Sequence, residues 1–475
     1  MGSLGNENDE PLTPAGRLFL RPEMNQVIYC AMGLKYPIDV ESVKSQVRSS
    51  VMLTHPRFCS LMVRDRTGRE RWRRTHIDLD SHFIVLDRPV SDQDDDESAV
   101  NQYLADLSTS SGLSYDKPLW EIHLLLAHKC AIFRAHHALG DGVSLMSMLL
   151  ACCRREEDAD ALPRIGSLGS RRNSEGGNRR GWWQWGKVLW GFLMMSCFTL
   201  VFVVEFVLRV LWLRDRETAI SGGAGVELWP RMLATASFWL EDMKVVKKAV
   251  PSATINDVLF GVISSGLSRY LDHRRSNALQ EGLRLTGVAM VNLREQSGLQ
   301  DLSDLMKDKS GSRWGNKFGM ILLPVYYHKS GSDPLQYLKR AKVMIDQKKQ
   351  SVEAHFSYKI GYFVMSSLGS KAAGFLNYRI ICNTSFTISN VVGPQEKLTV
   401  GTNPITYMRV NSSSLPHALT MHMVSYAGRA DMQILVAKNI IPDPEFLAKC
   451  FEEALLEMKE AAVATNKIYE EPVCS

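Results

Sequence analysis

Residues 134–145 read RAHHALGDGVSL: two adjacent histidines, then an aspartate four residues after the second and a glycine beyond it. Two apolar runs precede them, PLWEIHLLL at 118–126 and CAIFRAH at 130–136, separated only by Ala127, His128 and Lys129. That spacing predicts a β-hairpin whose second strand delivers His136 and His137 to its own end. Residues 140–150 then turn into a helix with Val143, Met146 and Leu150 on one side. Histidine is the side chain that titrates nearest neutrality, so the pair has two readings, chemistry or packing at a strand end. Neighbours along a strand face opposite sides, so both rings share one cavity only if the strand has already ended.

The chain around this stretch has 475 residues, 45% hydrophobic and 23% charged, which predicts two or three folded domains. A net charge of +5, with no basic stripe interleaved with aromatics, argues against nucleic acid as a partner. Nine cysteines form no CxxC pair, and HExxH, GxGxxG and GxxxxGK[ST] are absent. We therefore expect no metal, no nucleotide cradle and no disulfide frame. The first residues, MGSLGNENDEPLTP, have no apolar core of a signal peptide, and PVCS at the end is not a prenylation box.

Residues 11–150 read as mixed α/β, including an amphipathic helix at 38–53 with Val40, Val43, Val47 and Val51 in phase. Residues 152–180 become charged, then rich in Gly, Ser and Arg, as a linker would be. The most apolar segment of the chain follows at 186–213. A second α/β lobe begins after SGGAG at 221–225, with a helix at 251–270 capped by Ser252 or Thr254. Strands are predicted at 283–294, 318–327 and 386–394, and a last helix at 444–462.

HHALGDG matches the HHxxxDG motif of the large acyltransferase superfamily with a chloramphenicol-acetyltransferase-like fold. PLW at 118–120, ND at Asn256–Asp257, NLR at Asn292–Arg294 and SNVVGP at 389–394 narrow the match. Together they resemble the wax ester synthase/diacylglycerol acyltransferase family, and the opening PLTPAGRLF resembles its plant branch. The plant BAHD acyltransferases would carry a late DFGWG; the nearest segment here is RWGNKFG at 313–319.

The resemblance implies an α/β (α+β) two-lobed fold with a central tunnel. It places an N-terminal lobe at 1–165, a linker with a membrane-associated insert at 166–235, and a C-terminal lobe at 236–475. It also implies direct transfer from a fatty acyl-CoA to a long-chain fatty alcohol or to diacylglycerol, with no cofactor beyond that co-substrate and no acyl-enzyme. An alcohol is a poor nucleophile at neutral pH, so a general base is required. On the family pattern that base is His137, with His136 positioning the loop. Asp141 pairs with an arginine, Arg294 or alternatively Arg17, and Gly142 gives the backbone its freedom to turn. Asn256, Asp257 and Asn390 are substrate-binding or oxyanion candidates; Asn256 reads equally as a helix cap, and Asn390 as part of a turn. The alternatives are a BAHD-like enzyme for soluble alcohols or amines, and an inactive membrane-anchored binding protein.

Residues 188–204 carry no charge. As a helix they rise about 26 Å, just short of a roughly 30 Å hydrocarbon core. Trp182, Trp183, Trp185, Trp190 and Trp212 flank the segment like interfacial belts. Arg171, Arg172, Arg179, Arg180 and Lys187 precede it, which puts the first lobe in the cytosol. A single crossing would leave the second lobe on the other side, so the segment is expected to be re-entrant or monotopic, with Glu205 and Arg209 paired one turn apart. The expected location is the endoplasmic reticulum membrane, with the plasma membrane as a second site. Two glycosylation sequons, at Asn383 and Asn411, offer a topology test.

Overall fold

The computed structural model describes residues 9–92, 95–110, 112–158, 161–163, 182–274, 279–294, 314–329, 331 and 333–470. Arg171, Arg172, Arg179 and Arg180 lie outside them. Two sheets organise two mixed α/β lobes. The first has seven strands in the order Phe83–Leu86, Trp120–Leu125, Cys130–His136, Val27–Leu34, Asn403–Ser412, Leu398–Val400 and Arg154–Arg155. The predicted hairpin turns at Lys129, whose φ is 47°, and pairs Leu125 with Cys130. Its second strand is central, between Trp120–Leu125 and Val27–Leu34. Trp120 is fully buried, its Nε1 donating to the Phe58 carbonyl at 2.9 Å, so PLW anchors the core.

The second sheet has six strands in the order Phe318–Tyr326, Arg284–Asn292, Phe386–Val391, Leu419–Tyr426, Arg429–Ala437 and Arg231–Trp239. Helices Ile255–Arg274 and Pro444–Glu470 pack on its outer face. Alternation along Leu419–Tyr426 separates the two faces: Met421 and Met423 join the core under those helices, whereas Val424 and Tyr426 join the core of the first lobe.

Residues 236–475 were expected as one contiguous lobe; instead, Leu398–Val400 and Asn403–Ser412 are strands of the first sheet. Asn403–Ser412 pairs with Val27–Leu34 from Ile28 to Leu34, covering what would otherwise be an open edge. Its Arg409 reaches across the lobes, with Nε 3.1 Å from Asp431 and Nη1 3.0 Å from Glu97.

The apolar insert is a helix, Trp182–Leu211. Its stretch Val188–Leu211 has a mean hydropathy of 2.2 and is long and apolar enough to cross a membrane, yet only 6% of its most apolar window is buried. A soluble core helix would be covered. Among the described residues, its second half is docked, from Thr199, which accepts from the Val352 amide at 3.2 Å, to Arg209. Arg209 pairs with Glu205 at 3.0 Å and Asp215 at 2.9 Å, and donates to the Asn383 carbonyl at 2.8 Å and Thr286 Oγ1 at 2.7 Å. Both sequon asparagines are buried, Asn383 at 8% and Asn411 at 1% exposure, so absence of sugar there carries no information on topology.

Arg409 and Asp431 are both buried, and removing one partner of such a pair leaves an uncompensated charge. Arg409→Ala should lower stability by about 3–5 kcal/mol, read as a fall in unfolding midpoint, whereas Arg429→Ala on the exposed side of Asp431 should change it little.

Candidate active site

His136 and His137 stand where the strand Cys130–His136 ends, and their rings do different things. The Ala138 amide donates to His136 Nδ1 at 3.0 Å, so the His136 proton sits on Nε2, which donates to Asn25 Oδ1 at 2.8 Å. Burial pushes this histidine down to about 3. It is a neutral brace between the loop and the segment before Val27.

His137 follows the last residue of the strand, and its amide still donates to the Gln26 carbonyl at 2.8 Å, one step beyond the Val27–His136 pair. Asn316 holds it from the second half of the chain. The Asn316 Nδ2 donates to the His137 carbonyl at 2.9 Å, and its Oδ1 lies 3.1 Å from His137 Nδ1. A carbonyl can only accept, which fixes the amide's orientation; Nδ1 must therefore carry the proton and Nε2 keeps its lone pair. Phe19 stacks on the imidazole with centroids 4.1 Å apart, and Phe318 meets it edge-on at 6.0 Å. Burial lowers the pKa of His137 from its ordinary value, against the opposing pull of Asp141, so the ring is neutral at pH 7.

Asp141 makes no hydrogen bond to His137 among the described residues. It caps helix Gly142–Ala151, accepting from the Ser144 amide at 3.1 Å. Its other oxygen accepts from Arg294 Nη1 at 2.6 Å and from the Lys317 amide at 3.0 Å. Arg294 also donates to the Gly315 carbonyl at 2.6 Å and to Ser144 Oγ at 3.1 Å. Arg17, the other arginine considered for Asp141, lies 4.0 Å from Glu70. Trp314 Nε1 completes the clamp by donating to the Leu139 carbonyl at 2.8 Å. The residues Trp314–Phe318 thus hold HHALGDG at His137, Leu139 and Asp141.

Three expectations need correcting. Gly142 begins a helix, and a Cβ there would stand 3.4 Å from Val391 Cγ2; the crowded position is Gly140, where a Cβ would lie 2.9 Å from Ser144 Cβ. The left-handed backbone belongs to Gly315, with φ +110°. Asp257 is fully buried and accepts from the Thr254 amide at 2.6 Å and Thr254 Oγ1 at 2.9 Å, forming one side of a reciprocal helix cap. Asn256 is not the cap; its Oδ1 accepts from Asn390 Nδ2 at 2.8 Å. That places Asn390 on the helix-covered face of the second sheet. Ser389 and His422, paired in register, lie on the opposite face with Val391, which abuts Gly142. His422 is 8% exposed, its Nδ1 has no hydrogen-bond partner among the described residues, and the proximity of His137 adds to burial in lowering it to about 4.

Sequence reasoning missed Asn316, Phe19 and His422. The segments holding the first two were in view, as RWGNKFG and PLTPAGRLF, but Asn316 stands 179 positions from His137. No local period links such residues.

Residues 46–259 match the model of the wax ester synthase/diacylglycerol acyltransferase catalytic domain, and residues 314–459 match the WS/DGAT C-terminal domain. The chain is 37% identical to wax ester synthase/diacylglycerol acyltransferase 11 of Arabidopsis thaliana, over 97% of each. It is similar in fold to a wax ester synthase/diacylglycerol acyltransferase from Marinobacter aquaeolei VT8, with TM-score 0.60 at 18% identity, covering 95% of this chain and 100% of that one. A condensation domain of the calcium-dependent antibiotic synthetase gives TM-score 0.55 at 13% identity, covering 96% and 97%. Carrying both family domains along a two-lobed acyltransferase fold, the chain belongs to the wax ester synthase/diacylglycerol acyltransferase family of O-acyltransferases.

Proposed function

We propose that this enzyme esterifies a long-chain fatty alcohol with a fatty acyl-CoA, releasing a wax ester and CoA, and that diacylglycerol is a second acceptor. The observation that carries the reading is the His137 tautomer imposed by Asn316, which leaves a neutral Nε2 lone pair free. The alcohol oxygen attacks the thioester carbonyl carbon as Nε2 takes its proton. The tetrahedral adduct then collapses with cleavage of the C–S bond, and the imidazolium returns the proton to the departing sulfur. His136 and Asp141 hold the loop rather than relay protons. Negative charge developing on the carbonyl oxygen needs a donor, and Ser389 and His422, on the face toward the first lobe, suit that place better than Asn256 and Asn390.

The exposed helix Val188–Leu211 supports attachment to a membrane, and its dense apolar surface suits substrates dissolved in lipid. A single crossing would part the lobes, yet residues 398–412 are strands of the first sheet. We therefore favour a monotopic or re-entrant insert, with both lobes on the cytosolic face of the endoplasmic reticulum membrane, or of the plasma membrane, where acyl-CoA is available. A BAHD-like reading on soluble acceptors leaves this helix without a purpose.

Membranes bearing the chain should form labelled ester from acyl-CoA and hexadecanol, and His137→Ala should lose about 10²–10⁴ of that rate. Equal rates in parent and variant would overturn the assignment. Arg294→Ala should cost about 3–5 kcal/mol of stability because Asp141 stays buried without its cation. Arg294→Lys, which keeps the charge and loses the fork, should fall between the two in unfolding midpoint and in turnover.

A further inference from the structure

Helices Glu353–Ser367 and Gly369–Cys382 form a hairpin beside the apolar helix. On it Tyr362 is 53% exposed, Phe363 60%, Leu368 66% and Phe375 57%. These are large side chains to leave in water, and they are grouped rather than scattered. Lys359 and Lys371 are exposed on the same two helices, and neither forms an ion pair among the described residues. In the first helix Lys359, Tyr362 and Phe363 follow helical spacing on one side. Cations beside aromatics on one face suit the boundary between anionic headgroups and acyl chains.

The hairpin is continuous with the apolar helix. The Val352 amide donates to Thr199 Oγ1 at 3.2 Å, Phe206 meets Phe356 edge-on at 6.4 Å, and Arg379 donates to the Leu211 carbonyl. It is also one layer from the histidines. Leu18 packs among Val364, Met365 and Ala373, and Met24 packs on Ile381. The same short segment supplies Phe19 to the face of His137, Asn25 to His136 and the Gln26 carbonyl to the His137 amide.

We propose that this hairpin is a second membrane-contacting element, which seats the mouth of the active site on an anionic bilayer so that the apolar acceptor passes from lipid toward His137 along residues 14–26. The proposal rests on the acyltransferase reading for the purpose of the contact, but the contact itself is measurable without activity.

The full chain, with Cys197, Cys382 and Cys474 replaced by serine, is labelled with an environment-sensitive fluorophore at Phe363→Cys or, as a control, at Tyr36→Cys. Vesicles of phosphatidylcholine and phosphatidylserine carrying a spin-labelled lipid should quench the label at 363 severalfold more than that at 36. Equal quenching overturns the proposal. Lys359→Glu/Lys371→Glu should weaken the preference for anionic over neutral vesicles by roughly fivefold per lysine. In a second arm, Phe363→Ser/Phe375→Ser should raise KM for vesicle-borne hexadecanol roughly tenfold, given what burying a phenylalanine contributes. Turnover of a short water-soluble alcohol should stay as in the parent, and an unchanged KM for hexadecanol counts against the proposal. If the parent forms no ester from either alcohol, the acyltransferase reading fails, while quenching still decides the hairpin.

Discussion

A single buried carboxylate holds the loop that carries His136 and His137 in shape. Asp141 and Arg294 have side chains only 8% and 4% exposed and meet at 2.6 Å. The pair is bound on every side: by the Ser144 amide at the start of helix Gly142–Ala151, by the Lys317 amide and by the Gly315 carbonyl. An ion pair this deep is weak evidence for net stability, because desolvation offsets most of its attraction. Its value is geometric. It joins a loop of the first lobe to a segment of the second, and that segment then carries Asn316 and Phe318 to His137. His137, the proposed base, is thus held by Asn316 only when both lobes are together.

How much of this was legible in the sequence follows from how local each interaction is. The hairpin, the strand end and the helix after it are encoded within 118–150 by apolar runs and one short turn, so the position of His136 and His137 could be read directly. Thr254 was legible as a helix cap, but its reciprocal partner Asp257, three residues on, was read as substrate-binding within the ND pair. Arg294 entered through resemblance of NLR to a family motif, since nothing in its spacing ties it to Asp141 153 residues away. Asn316 had no such signal. The sorting of 398–412 into the first sheet was equally hidden, because strand patterns specify which face is buried and not which strand is the neighbour.

That shared sheet also bears on the membrane. The long apolar helix alone is compatible with a crossing, and the positive residues before it would set a direction. Strands of one lobe drawn from the far side of the insert leave the two lobes inseparable. The docking of Arg209 among Glu205, Asp215 and Thr286 fixes the end of the helix to the second lobe. The proposed substrate pair, a water-soluble thioester and a lipid-soluble alcohol, would suit an enzyme held at an interface by one side.

In the proposed mechanism, Asn316 presents His137 as a neutral base with its lone pair on Nε2. The pH dependence of kcat/KM tests it most directly, measured for the parent, Asn316→Asp and Asn316→Leu. The base acts only when unprotonated, and burial depresses its pKa, so the parent's acid limb should lie below the ordinary histidine value of 6.5. A carboxylate at 316 stabilises the imidazolium and should move that limb to higher pH; leucine should lower the plateau without moving the limb upward. An acid limb at the same pH in the parent and Asn316→Asp would contradict the account.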